Sequence, residues 1–169
     1  MRGAAAILTG ILLSCSVANA REQSAAIFDF ELTDTSRVDQ LAPHDAEHQA
    51  RLALVTERLR KRLAESGRFS VIDITPVARE ARGSNLQACG GCDVTLAQRL
   101  GADLAVTAEV FKISNLILRM TIFVRDAKTG RNVAVANASM RGNTDESWTR
   151  AVDWLVRYQL LDPERGVPQ

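Results

Sequence analysis

Cys89 and Cys92 stand three residues apart in the run CGGC. That spacing suits a structural disulfide closing a tight ring, a redox-active dithiol, or half of a metal site. For the disulfide, chain entropy gives so short a loop only about 2 kcal/mol. For the dithiol, Asp93 comes directly after and is expected to open a helix. Cys92 then sits beside a helix N-terminus, where the dipole lowers a thiol pKa, although the Asp93 carboxylate opposes that effect. For the metal, the two histidines, His44 and His48, are four residues apart. With Cys89 and Cys92 they complete a Cys₂His₂ set that zinc accepts, in an order and spacing that are not those of a zinc finger. His44–His48 also spells H-x-x-E-H, the inverted zinc-protease motif, which needs a third ligand and an enclosed cleft. Haem attachment requires CxxCH, and Asp93 excludes it. The structural disulfide is the simplest of these readings, so no cofactor is assigned.

Other groups have plainer explanations. Asp29 and Glu31 share one face of a strand, with Glu109 and Arg119 as expected neighbours. Paired carboxylates can do acid–base work, but such a face is more simply a set of cross-strand ion pairs. Arg141, Asn143 and Thr144 at a helix start could hold an anion, and capping alone accounts for Asn143. Trp148, Val152 and Leu155 read as core contacts. Trp154 and Tyr158 fall nearer the flank of the same helix, as an aromatic anchor for a partner would. No Ser-His-Asp motif, phosphate loop or dinucleotide fingerprint occurs, and the chain is read as non-enzymatic.

The secondary structure that carries these residues is set by periodicity. Ala25–Leu32 alternates: Ala26, Phe28, Phe30 and Leu32 on one face, Ile27, Asp29 and Glu31 on the other. This predicts a first strand. Thr33–Asp45 is polar and reads as a loop. In Ala46–Ser66, Leu52, Val55, Leu59 and Leu63 recur at helical spacing, and Gly67 is a natural stop. Arg68–Ile74 is a second strand, so the unit is βαβ with parallel strands and a right-handed crossover. Val77–Arg82 is a helical turn, and Gly83–Gly91 is a loop. Asp93 caps a helix to Leu100, stopped by Gly101. Asp103–Lys112 and Asn115–Asp126 are the third and fourth strands. In the fourth, Leu116, Leu118, Met120, Ile122 and Val124 make one apolar face. DAKTG (126–130) is a hairpin turn, and Arg131–Met140 is a fifth strand. Asn143 and Glu146 have capping-box spacing and open a last helix to about Leu161. The fold class is therefore α/β: a single domain whose mixed five-stranded sheet, a βαβ unit then a helix and an antiparallel meander, is packed with helices.

The N-terminus reads as an export signal. Arg2 precedes an apolar or small run, Ala4–Val17, and Ala18-Asn19-Ala20 has the form of a signal-peptidase site. Residues 1–20 are expected to be removed, leaving 21–162 as the domain and 163–169 as a loose tail. A lipoprotein anchored through Cys15 is the rival reading. Loss of Arg2 takes the formal net charge from +1 to zero. A neutral chain without a basic run is poor material for nucleic acid or anionic lipid. The location expected is the periplasm, with oligomeric state left open.

AIFDFEL, a helix, GRFSVID, LAQRLGADLAVTAEV and IFVRDAKTG, in that order, resemble the amino-terminal domain of TolB and the related domain of the curli-secretion lipoprotein CsgG. The likeness runs from about Ala25 to Met140. The CGGC and the RGNTDESW ending (Arg141–Trp148) lie outside that general pattern and look like marks of a smaller group of secreted bacterial domains. The resemblance implies a non-catalytic module in an envelope assembly with a protein partner. Topology then predicts where that partner docks. Thr33–His48, the CGGC, the KISN turn and RGNTDESW should share the edge formed by the carboxyl ends of the strands, where open α/β sheets bind ligands. Lys112, Ser114, Asn115, Arg141, Asn143 and Thr144 are the residues expected to face the partner or an anionic ligand.

Overall fold

In the computed structural model of the protein, which describes residues 22–35, 45–164 and 166–168, the first apolar run is two strands instead of one. These are β1 (Gln23–Ile27) and β2 (Glu31–Asp34). Both run parallel to β4 (Leu104–Lys112), but Ile27 pairs with Val106 and Glu31 with Glu109, so the first chain carries one residue more than its partner. The extra residue reverses the facing of β2 relative to β1. Ala26 and Phe28 point to one side of the sheet, while Phe30 and Leu32 join Ile27 on the other. The interruption is satisfied by the next helix, α1 (Asp45–Glu65). Thr56 Oγ1 accepts from the Phe30 N–H at 3.0 Å and donates to the Leu52 carbonyl at 2.8 Å. Arg60 donates to the Ile27 carbonyl at 2.9 Å. A buried hydroxyl in mid-helix is thus explained by the backbone groups the break leaves over.

The remaining elements are β3 (Phe69–Ile72), a 3₁₀ turn (Thr75–Val77), α2 (Ala78–Arg82), α3 (Cys92–Arg99), β5 (Ile117–Asp126), β6 (Asn132–Arg141), α4 (Asp145–Leu155) and a π turn (Val156–Leu160). The sheet is six-stranded in the order β3-β1-β4-β5-β6, with β2 also on β4. β1, β2, β3 and β4 are parallel; β5 and β6 form the antiparallel meander. The α/β class and mixed sheet are as expected, with the first strand divided.

Helices cover both faces. On one, Leu52, Val55, Leu59 and Leu63 of α1 and Trp148, Val152 and Leu155 of α4 pack on alternate residues of β4, β5 and β6. Each such side chain contributes roughly 1.5–3 kcal/mol by leaving water. Asp153 ties the two helices together, accepting from Arg58 at 2.8 and 2.7 Å. On the other face, α2 and α3 cover Ala26, Phe28 and Ala105. That second layer reaches β1, the start of β4 and Ile72 at the end of β3.

Beyond Pro163 the chain returns to the core. Val167 is buried and donates its N–H to the Leu160 carbonyl at 3.0 Å. Arg68 donates to the Leu161 and Val167 carbonyls. A Cβ on Gly166 would collide with the Leu160 and Asp162 carbonyl oxygens, so only glycine closes this turn. Residues 1–20, with Cys15 and the cleavage site, lie outside the described residues, as do 36–44 with His44. Among the described residues no helix is long and apolar enough to cross a membrane.

Candidate functional site

The carboxyl end of β4 is where α1, β2, β5, β6 and α4 present their ends together. Arg51 of α1, 5% exposed, is the tie. Its guanidinium donates to Asp145 Oδ1 at 2.7 Å, Asn143 Oδ1 at 3.0 Å and Glu47 Oε1 at 2.6 Å. It also stacks 5.4 Å from the centroid of the buried Trp148 ring. Asn143 Oδ1 accepts from Trp148 Nε1 as well, at 3.1 Å, and its amide nitrogen lies 3.4 Å from His48 Nε2. Asn143 is therefore a hub that docks α4 on α1, and its polar groups are committed inside the protein.

The cap of α4 also differs from expectation. Thr144, not Asn143, is the N-cap, and its box partner is Ser147 in place of Glu146. Thr144 Oγ1 accepts from the Ser147 N–H and Ser147 Oγ from the Thr144 N–H, both at 3.2 Å. With those donors taken and Asp145 and Glu146 in the first turn, this terminus does not suit an anion.

Lys112 requires a larger correction. It is 0% exposed, with Nζ 3.0 Å from Asp34 Oδ2. It does not face outward, because Lys112 falls on the sheet face that α1 and α4 cover. Ser114 is likewise local: Oγ accepts from the Leu116 and Ile117 N–H groups at 3.2 and 3.1 Å, which shapes the turn. Asn115 and Arg141 are exposed. Beside them stand three apolar residues not assigned to this edge from sequence: Ile113 (48% exposed), Leu116 (62%) and Ile117 (50%). Leu116 was expected to continue the buried face of β5, but the strand begins one residue later. The signal for them is three aliphatic residues within KISNLI (112–117). Hydrogen bonds from Ile113 and Ser114 to the Ile117 carbonyl, and from Gly142 to the Leu116 carbonyl, hold this tip beside Arg141.

The CGGC is elsewhere. Cys89 and Cys92 form a disulfide, and Cys92 is the first residue of α3. Gly91, at φ +109°, is the N-cap, a conformation that strains any residue with a side chain. Asp93 is not the cap: it is wholly buried, and both its oxygens accept from Arg125 Nη1, at 3.0 and 3.1 Å. α3 is too short to reach the top of β4, so its N-terminus meets the amino end of that strand. There Gly90, Gly91 and Arg125 border a groove with Lys128 and Thr129 of the hairpin turn. The CGGC thus lies by the bottom turn, on the sheet face opposite α1. His48 and the cysteines are on opposite faces, and the sulfurs are oxidised, so they do not assemble a zinc site. No group of three potential metal ligands occurs among the described residues.

The carboxylates of the first strands divide by environment. Burial would raise the pKa of Asp29, but Arg82 and Arg60, at 2.8 and 2.9 Å, outweigh it and hold the group below its ordinary value. Glu31 is pushed up, first by burial and also by Glu109, its partner in register, although the Leu86 N–H donates to it at 2.8 Å. Its Oε2 has no hydrogen-bond partner among the described residues. A carboxyl with a raised folded-state pKa contributes stability at low pH and loses it as pH rises through that pKa. Glu31→Gln should therefore raise the melting temperature at pH 7, on the order of 2 °C. The gain should vanish near pH 4, where both chains are neutral at this position. Thermal scans across that range check it, and an unchanged or lower midpoint at pH 7 refutes it.

Trp154 of α4 and Tyr158 of the π turn after it, 46% and 48% exposed with ring centroids 6.0 Å apart, lie beside β6, away from the top edge.

Residues 23–160 match the family model DUF3280, described as a protein of unknown function (DUF2380). No curated protein matches the sequence. Among solved structures the chain is similar to the LpoB C-terminal domain from Salmonella enterica, at TM-score 0.51 and 14% identity over 74% of this chain and 87% of that one. The LpoB C-terminal domain from Escherichia coli gives TM-score 0.51 and 14% identity over 72% and 84%. A PelC dodecamer from Paraburkholderia phytofirmans gives 0.49 and 13% over 81% and 88%. At such identities the LpoB likeness speaks for fold alone. The kinship with TolB and CsgG expected from the motifs is not shown by these matches.

Proposed function

We propose a function for this chain, which belongs to the DUF3280 family: it is an exported, non-catalytic module that binds a protein partner within an envelope assembly. The observation that carries this reading is the β4–β5 tip. Ile113, Leu116 and Ile117 are each about half exposed or more in a turn tied by backbone hydrogen bonds to a rigid sheet. Exposed apolar side chains grouped at one place mark interaction sites more often than isolated ones do. Arg141 and Asn115 give the cluster a polar rim, the usual anatomy of a non-obligate interface. The signal-like residues 1–20 support the envelope setting.

The sequence left a thiol-disulfide or zinc protein as the rival, and the geometry favours neither. Cys92 does stand at a helix start, but next to a buried carboxylate, and the histidine that is described lies across the sheet from it.

The test is a photo-crosslinking side chain placed at position 116 or, as control, at 128, in the exported protein in cells. Position 116 should give one dominant adduct that Arg141→Glu with Ile113→Glu depletes at least about tenfold. Position 128 should give none of it. Equal labelling from both positions, or an adduct indifferent to the double substitution, refutes the reading.

A further inference from the structure

Among the described residues β6 is the last strand on its side of the sheet. It is ten residues long, and such an edge is a template for another strand. In an antiparallel ladder, residues alternate between pairing inward and directing both backbone groups outward. Asn137 is of the outward set, and its two groups are both taken by one side chain. The Asn137 N–H donates to Gln159 Oε1, and Gln159 Nε2 donates to the Asn137 carbonyl, each at 3.0 Å. A carboxamide that accepts from and donates to the same residue reproduces the contact an incoming peptide group makes in a ladder. Gln159 lies in the π turn, closed by the Leu161 N–H to the Val156 carbonyl, and such turns recur at functional sites. By the same alternation Val135 and Ser139 direct their backbone groups outward on either side of Asn137.

Next to this edge is a groove of about 750 Å³ between β6 and α4. Its floor is Ala138 and its wall the exposed rings of Trp154 and Tyr158, with Arg150 and Arg157 at its margin. The Arg157 guanidinium stacks on the Tyr158 ring at 5.3 Å. Asp153, the acidic residue of the lining, is engaged by Arg58 and Arg62 on the side of α1. The groove therefore brings together a strand edge held at Asn137 by a single side chain, an aromatic wall and arginine charge, with Arg150 also 3.4 Å from the exposed Glu146.

We propose that this groove takes an extended, acidic peptide segment of another protein by strand addition to β6. The backbone of the peptide pairs with Val135, Asn137 and Ser139, displacing the Gln159 amide. An apolar side chain of the segment seats between Ala138 and the two rings, and its carboxylates meet Arg150 and Arg157. A second copy of this chain fits less well, because edge-to-edge pairing would bring the arginines of both copies together. The site is separate from the β4–β5 tip and stands or falls independently of it.

The probe is a short fluorescent peptide alternating valine and threonine, with two of the threonines replaced by glutamate. Its counterpart carries lysine there. Anisotropy titration should show saturable binding of the glutamate probe alone. Gln159→Ala should bind it more tightly, because the internal occupant is gone. Ser139→Pro, which removes an outward N–H, and Trp154→Ala should each weaken it at least about tenfold. Arg157→Glu, wholly on the surface, should do the same if the proline variant fails to fold. Leu116→Glu should change nothing. The proposal is overturned if neither probe saturates, if both bind equally, or if Arg157→Glu and Trp154→Ala bind as the parent does. It is also overturned if sedimentation shows the chain pairing with itself through β6 while the probe stays free.

Discussion

Asp93→Ala should lower the unfolding free energy by about 3–5 kcal/mol, more than loss of the neighbouring disulfide. Asp93 is 0% exposed, and Arg125 donates to both its oxygens. Arg125 in turn reaches Asn132 Oδ1 at 3.1 Å, so the carboxylate fixes α3 to β5 and β6. It also sits in the first turn of α3, where the helix dipole favours negative charge. Alanine removes all of this and leaves a guanidinium with a missing partner. Because the Arg125 side chain is 21% exposed, water recovers part of the loss, which places the effect toward the lower end of the range. Asp93→Asn keeps one accepting oxygen and should cost less. Replacing Cys89 and Cys92 by serine together should cost only about 2 kcal/mol, since the ring is short. Urea denaturation of these variants beside the parent should rank alanine as the most destabilising, ahead of both asparagine and the cysteine pair. A cysteine pair that costs more than Asp93→Ala would mean that the covalent link, not the ion pair, fastens this helix.

That ion pair also shows where sequence reasoning stops. A CxxC with Asp directly after it, before an apolar-periodic run, reads as a helix start, and a helix does start there. Whether the Asp caps the helix or is buried under it depends on what lies beneath, and Arg125 is 32 residues away in the chain. The edge assignment failed for a related reason. A crossover helix long enough to span the sheet carries its N-terminus to the carboxyl ends of the strands, but the eight residues of α3 do not. The CGGC was consequently expected beside KISN, and it lies instead beside DAKTG.

The parts that were legible are those set by local periodicity. α1 starts and ends within a residue of its expected bounds, and β3, β4, β5 and the body of β6 fall inside the segments their alternation marks. Parallel pairing of β1 with β3 is what the length of α1 requires. The break between β1 and β2 was not legible, because AAIFDFEL alternates without fault through the residue that shifts the facing. Thr56 and Arg60, contributed by another element, mark it by bonding the backbone groups it leaves over. Arg141 and Asn115, expected to face a partner or an anionic ligand, are exposed. Ile113, Leu116 and Ile117 were missed, since an apolar residue in a turn looks like the end of a strand until its exposure is known.

Lys112 brings these points to a measurable test. An exposed lysine in a polar turn could be changed to alanine with a stability effect within about 0.5 kcal/mol. The lysine found here is 0% exposed and paired with Asp34. Breaking a buried ion pair from one side costs about 3–5 kcal/mol, and Lys112 is the buried member of this one. Asp34 keeps 22% of its side chain exposed, so some of that cost is relieved by water. Lys112→Ala also leaves a void under α1 and α4, which adds to the loss. Lys112→Met fills the void but still removes the ion pair with Asp34, so it should recover only the packing part. Lys112→Met with Asp34→Asn should recover more, because the negative charge that the lysine balanced is then removed as well. Arg141→Glu, on the surface, should stay within about 0.5 kcal/mol of the parent. Equilibrium denaturation of this set separates charge from volume. If Lys112→Ala proves as mild as Arg141→Glu, the lysine reaches solvent and belongs to the outward edge after all.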